Sequence, residues 1–427
     1  MENARSVKRG FSPLDRELGL LNGELTPQLQ QSVARLGTWM PFRRAAEEIK
    51  HFTGTEVSEA TVRRVTEQAG KALIAVQTKD VERLEREMPQ SPAGPELQLM
   101  SVDGAMVPLV NKEWAEVKTL AIGVVQKPRL EKGKKVVHTT ELSYFSRVAE
   151  ASEYSKQALY EVHRRGTEKA GKVCAVTDGA EWEQGFMDYH RSDAIRILDF
   201  AHGAERLAAA GRAIHGESTP RFEQWFGQQR HALKGGKVTE VLGELGKLSR
   251  KAKRDGFAEK LEVIEGHLNY LEKRRSMIEY GKFQRKGYPI GSGTVESANK
   301  VVVQSRLKQA GMHWARPNVN PMLALRNVAC NQRWDEAWAG IVENKQELVV
   351  AKFRQRRDRK IPSQTATKES TTPSPLIARK AVTQAIDHKK NLEEINVQKR
   401  PYRPAADHPW RRMRFGRTSN RISSAKN

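Results

Sequence analysis

Cysteine is almost missing from this chain of 427 residues: Cys174 and Cys330 are the only two. No paired Cys/His spacing surrounds them, which excludes a zinc finger and a disulfide framework. Two isolated thiols suit a reducing cytoplasm. Long apolar runs are missing as well. No stretch reaches the roughly 18 apolar residues that a membrane-spanning helix needs. The opening residues Met1-Glu2-Asn3-Ala4-Arg5 lack the apolar core of a secretory signal. Acidic residues are outnumbered, 51 Asp/Glu against 74 Lys/Arg, so the formal charge is +23. A field of that sign favours a polyanionic partner and says nothing about fold.

The charge is uneven. Residues 351–427 hold 20 Lys/Arg and 6 Asp/Glu, a surplus of 14, which leaves +9 for the other 350 residues. This basic tail carries Pro362 and the Pro373-Ser374-Pro375 run, with few aromatics before Tyr402. It is expected to be largely disordered without nucleic acid.

The rest of the chain divides by its periodicities. Residues 1–80 form a helical, helix-turn-helix-like region. Thr26-Pro27 opens one helix, with proline in the favoured first-turn place. A second helix runs from about Pro41 to Phe52. Thr53-Gly54-Thr55-Glu56-Val57 makes a turn, and Ser58 caps a third helix containing Val62, Val65, Ala69 and Leu73. If that third helix reads DNA, Arg63 and Arg64 face outward; the plainer alternative is a helical bundle with solvated basic faces. A linker, 81–95, ends in prolines 89, 92 and 95.

Strand patterns follow at Leu97–Val110, Trp114–Val125 and Val136–Val148. A helix is expected over 153–165, a short buried strand over 172–177, a helix over 181–190 and a fifth strand over 194–199. Three strands able to meander, then helix, strand, helix and strand, is the order of an RNase H-like mixed sheet. On this reading the core's first part is 96–203. An all-helical insertion, 204–288, precedes its second part, 289–350.

Three acidic residues stand out in that frame. Asp103 lies in Met100-Ser101-Val102-Asp103-Gly104 on the first strand. Asp178 lies in Ala175-Val176-Thr177-Asp178-Gly179 at the tip of the fourth. Glu296 lies in Gly291-Ser292-Gly293-Thr294-Val295-Glu296, in the first turn of a helix. Converging carboxylates can hold two divalent metals about 4 Å apart, the arrangement that attacks a phosphodiester. Hard oxygen ligands suit magnesium. Taken singly, each has a plainer reading: Asp-Gly is a hairpin signal, and Glu favours a helix N-terminus. Asp199-Phe200-Ala201-His202 closes the fifth strand. His202 can orient a carboxylate or simply pair with Asp199, and Asp199 is a rival metal ligand. Beyond Glu296, helical spacing places Asn299, Lys300, Arg306 and Lys308 where they can grip phosphates. Trp314 suits a core position better than a base-stacking one.

In combination these motifs resemble the bacterial DDE transposases, closest to the ISKra-type insertion-sequence family. The resemblance rests on Val102-Asp103-Gly104, Thr177-Asp178-Gly179-Ala180-Glu181-Trp182, Asp199-Phe200-Ala201-His202, Gly291 to Ser297 and Arg306 to Trp314. Asn331 to Asp335, His408 to Arg412 and Phe11 to Leu21 add to it. It implies cutting and joining at element ends with magnesium or manganese, held by Asp103, Asp178 and Glu296 with His202 in support. It also implies double-stranded DNA as partner, a homo-oligomer on that DNA, and a place at the nucleoid. Members of that family often carry a cysteine-rich zinc-binding segment before the Phe11 motif. This chain starts almost at that motif, so a shortened copy that binds DNA without cutting it is the alternative.

Overall fold

The computed structural model describes residues 25–358, Lys132 excepted. The Phe11 motif, the basic segment from 359 onward and the His408 motif lie outside the described residues. Among the described residues no helix is long and apolar enough to cross a membrane.

Three helices come first: α1 (Pro27–Trp39), α2 (Phe42–Thr53) and α3 (Glu59–Glu87). Their punctuation follows the sequence. The Thr26 hydroxyl accepts from the Leu29 N–H at 3.3 Å, and the Ser58 hydroxyl accepts from the Thr61 N–H at 3.2 Å. Gly54 ends α2 at φ +69°, a left-handed conformation that glycine adopts without strain. One boundary differs from expectation. The reader helix and the linker helix are one continuous element, because no breaker interrupts 59–87. Its apolar stripe, Val62, Val65, Ala69 and Leu73, packs with Val33, Ala45 and Ile49. The same cluster takes in Leu325, Val328, Trp334, Trp338 and Ile341 from two C-terminal helices, α12 (Arg316–Cys330) and α13 (Trp334–Asp358). The N-terminal helices therefore share a core with the end of the described chain. Helix α13 also covers the start of the segment expected to be a disordered tail.

Seven strands follow: β1 (Leu97–Pro108), β2 (Trp114–Val125), β3 (Arg129–Glu131), β4 (Lys134–Val136), β5 (Thr139–Arg147), β6 (Lys172–Thr177) and β7 (Ile195–Leu198). Five of them form one mixed sheet in the order β5-β2-β1-β6-β7. The β1–β2 and β2–β5 pairs are antiparallel, and β1–β6 and β6–β7 are parallel. Strands β3 and β4 make a separate small hairpin that the sequence pattern did not reveal.

Alternation on the strands sends side chains to two layers. Met100, Val102, Val173 and Ala175 pack under α4 (Ala151–Arg164) and α5 (Glu181–Arg191). Leu99, Cys174, Val176 and Ile197 face the opposite way, into an all-helical block. That block is α6 (Phe200–His215), α7 (Pro220–Lys234), α8 (Val238–Arg254), α9 (Ala258–Lys273) and α10 (Tyr280–Arg285). Then comes α11 (Gly293–Ala298), which widens into a π-helical stretch at Asn299–Gln304 and ends in the turn Ser305–Leu307. The π stretch leaves carbonyls for other donors. The buried Arg326 guanidinium supplies them, donating to the Val301 and Val302 carbonyls and to the Ser305 hydroxyl.

A bare edge strand is a template for unwanted pairing. Strand β5 is an edge, and α12 closes it with three asparagines on one face. The Asn331 amide accepts from the Tyr144 N–H at 2.8 Å and donates to the Tyr144 carbonyl at 2.9 Å. Asn327 does the same at Ser146, at 3.1 and 3.2 Å, and Asn320 at Val148, at 2.8 and 2.9 Å. Each side-chain amide stands in for one residue of a missing strand. Asn327→Ala leaves the N–H of the buried Ser146 unpaired, at about 1–3 kcal/mol, while the Ser146 carbonyl keeps its 2.9 Å bond from Arg147 Nη1. Urea denaturation is expected to show a loss of about 1–3 kcal/mol. A loss within about 0.5 kcal/mol, ordinary for a surface change, would mean that water satisfies this edge.

Candidate active site

Sheet register builds the site. Leu97 pairs with Lys172 and Met100 with Ala175, a constant offset of 75. Three residues further along, the same offset sets Asp103 level with Asp178. Cys174 pairs with Ile195 and Thr177 with Leu198, an offset of 21, which sets Asp178 level with Asp199. Three aspartates thus stand in one row across three parallel strands, two of them just past their strand ends. Period-two alternation puts all three on the face that carries Leu99, Cys174, Val176 and Ile197. Ligand sites of open α/β sheets commonly lie at such carboxyl ends.

The row does not act as a uniform cluster. Carboxylate oxygens of Asp103, Asp178 and Glu183 lie within 4.8 Å of one another. Glu183, in the first turn of α5, is a member that sequence reasoning missed. It stands three residues after Ala180, the place from which a helix-capping glutamate reaches back. Its Oε2 accepts from the Gly179 and Ala180 N–H groups at 2.9 and 3.0 Å. Burial, together with the neighbouring Asp178 carboxylate, pushes the Glu183 carboxyl up to about 9. It therefore keeps its proton at neutral pH. Asp103 is also raised, first by burial and then by Asp178, against the lowering effect of a 2.7 Å hydrogen bond from the Gly104 N–H.

Asp199 lies outside that close group and is engaged elsewhere. It caps α6, its Oδ1 accepting from the His202 N–H at 2.8 Å, and its Oδ2 accepts from the Ser292 N–H at 2.6 Å. Burial pushes this carboxyl up, but the bonds from His202 and Ser292 outweigh burial and hold it at about 2. The His202 ring nitrogen Nδ1 lies 3.3 Å from Asp199 Oδ1. That contact raises the His202 pKa, and the Asp178 carboxylate adds to the rise. His202 charge in turn lowers Asp103. The histidine thus pairs with Asp199 and also acts electrostatically on both other aspartates.

Glu296 is not part of the close cluster. Its side chain is exposed, and its Oε1 accepts from the Ser292 hydroxyl at 3.0 Å. Ser292 thereby links Glu296 to Asp199. One turn further along the same helix, Asn299 reaches the row instead: its Nδ2 donates to Asp103 Oδ2 at 2.8 Å. Asn299 is buried, 3% exposed, and its Oδ1 has no partner among the described residues. The expected phosphate contact at Asn299 is corrected accordingly, since a buried amide bound to a carboxylate cannot face a DNA backbone. Arg306 is corrected too. It is 1% exposed, donates from Nε to the Gly37 carbonyl at 3.1 Å, and lies over the rings of Phe42 and Trp314. Burial, with the charge of Arg326, pulls it down to about 10. Val295, Asn299, Val302 and Arg306 recur at helical spacing on one face, and the buried Val295 and Val302 mark that face as the inward one; this spacing was the available signal, set against the polarity of Asn299 and Arg306. Trp314 is the core aromatic, its Nε1 donating to the Leu307 carbonyl at 3.1 Å. Arg63, Arg64, Lys300 and Lys308 are exposed.

The helical block reaches into the site from the other side. The Tyr270 hydroxyl donates to the Asp178 carbonyl at 2.5 Å, and Arg274 donates from Nη2 to the Gly179 carbonyl at 2.6 Å. Gly179 sits at φ +86°, and a Cβ there would lie 2.7 Å from the Arg274 guanidinium. Glycine fits this position on both counts.

The chain matches no protein-family model and no curated protein.

Glu183 makes the site pH-sensitive. Its folded pKa is raised above the unfolded value, so the fold binds the extra proton. Stability is present below about pH 4.5 and declines as pH rises towards about 9. Glu183→Gln keeps the acceptor oxygen for Gly179 and Ala180 and removes the titration. In EDTA, melting curves across that window are expected to fall with pH in the wild type and to flatten in the variant. Parallel curves would show that Glu183 does not hold a proton there.

Proposed function

We propose that the chain is a DDE transposase of the ISKra-type family, with the five-stranded sheet as an RNase H-like core. One observation carries this reading. Asp103 and Asp178, level on adjacent parallel strands, bring carboxylate oxygens within 4.8 Å on the face covered by α11. The donor set is all oxygen, which fits magnesium or manganese rather than zinc. Two further features support a cation. Burial and mutual repulsion raise Asp103, and the Asn299 Oδ1 beside it is buried without a partner among the described residues. Asp103, Asp178 and Glu296 would hold two such ions, which supply an activated nucleophile and stabilise the leaving oxygen of a phosphodiester.

The chain's own residues do the positioning. Asp199 fixes Ser292, and the Ser292 hydroxyl holds the Glu296 carboxylate at the start of α11. Glu183 braces the turn behind Asp178 through the Gly179 and Ala180 N–H groups. His202 supports the row through Asp199. The substrate is double-stranded DNA at the ends of an insertion sequence, met by a homo-oligomer at the nucleoid. Arg63, Arg64, Lys300 and Lys308 are the exposed cations in place to meet its phosphates.

Asp103→Asn, Asp178→Asn and Glu296→Gln remove a ligand charge at nearly constant shape. With DNA spanning the gene's own flanks, and magnesium present, each is expected to lower cleavage by more than about 100-fold, beyond the usual effect of residues that merely orient a ligand. DNA binding in gel-shift assays should persist. Cleavage at the wild-type rate by any one of them removes that residue from the site, and by all three removes the proposed function.

A further inference from the structure

We propose that the groove between the β3–β4 hairpin and helices α7 and α10 is a path for one strand of DNA leading to the α11 turn. This inference rests on the reading as a DNA-processing enzyme and adds where a strand runs. The groove encloses 1060 Å³ and has Lys135 and His138 on the hairpin side, Lys234 and Arg285 on the helical side, and Gly291 and Thr294 at its end.

Charge decides the class of occupant. Among the described residues no aspartate or glutamate lines the groove, while Lys135, Lys234 and Arg285 do. All three are exposed. His138 is already engaged, its Nε2 lying 2.6 Å from Glu131 Oε1. Cations on both sides of a concave groove attract a polyanion and draw field lines into the cleft. Shape decides its form. Pockets for one drug-sized ligand hold about 300–1,000 Å³, so this groove has room for a short stretch of one strand. A duplex, with two backbones, needs an open face. The wall is also bare where a phosphate would pass, because Gly291 and Gly293 line it without side chains.

Position decides its role. Thr294 belongs to the first turn of α11, the helix that carries Glu296 and then Asn299, which donates to Asp103. A strand lying in the groove therefore reaches the segment that bears the third carboxylate. The electrostatic grip lies on elements outside the sheet, so its removal leaves Asp103 and Asp178 in place.

The test uses the full chain, a short fluorescent oligothymidylate and EDTA, with binding read by anisotropy over a salt series. Lys135→Ala, Lys234→Ala and Arg285→Ala are combined in one variant. A control variant loses the same charge from the outer face of the helical block, by Lys247→Ala, Lys253→Ala and Lys260→Ala. The groove variant is expected to bind about tenfold or more weakly, with the salt slope flatter by about 2, at roughly 0.7 for each single-strand phosphate that is no longer neutralised. The control should stay close to the wild type. Equal weakening of the two variants, or unchanged binding by the groove variant, overturns the proposal. Binding in EDTA needs no cleavage, so failure of the metal chemistry and failure of the groove are separate results.

Discussion

The parallel register of β1, β6 and β7 is the constraint on which the rest of this molecule turns. Two constant offsets put Asp103, Asp178 and Asp199 level. A slip of one residue would move every side chain of a strand to the other face. That cannot happen cheaply, because Leu99, Cys174 and Ile197 on the same face are buried under the helical block. The apolar packing that holds the sheet together is therefore also what aims the carboxylates.

Holding acidic groups together costs free energy, and the surrounding elements are arranged against that cost. Asp199 is stabilised by hydrogen bonds from His202 and Ser292, and Glu183 is neutralised by a retained proton. Asp103 and Asp178 keep fewer compensations. The Asp178 turn is tied from outside by Tyr270 and Arg274, which take the carbonyls of Asp178 and Gly179. The helical block is thus more than a spacer between β7 and α11. Its packing on the sheet and its grip on the turn keep two carboxylates at close range, a placement that a cation would reward.

Much of this was legible in the sequence. Alternation located the five strands of the sheet to within a few residues, and Ser58, Thr26 and Gly54 punctuate helices as their chemistry requires. Asp103 within β1 and Asp178 at the end of β6 come together because the two strands are neighbours in the sheet. Other features had no local signature. The π-helical widening at Asn299–Gln304, whose carbonyls Arg326 takes, is one of them, whereas the inward placing of Asn299 and Arg306 follows the spacing of the buried Val295 and Val302 and was masked by their polarity. The join of α3 to α12 and α13 depends on packing between segments some 250 residues apart, which periodicity does not report. Glu183 did leave a trace, its place three residues after Ala180.

The central claim is that Asp103 and Asp178 form a divalent-cation site completed from α11. Crystals grown with manganese, measured for anomalous scattering, test it directly. The account predicts density between the Asp103 and Asp178 carboxylates, with the Glu296 side chain released from Ser292 and turned onto it. Density held by Asp199 or Glu183 away from that pair, or none at the row of aspartates, would contradict it.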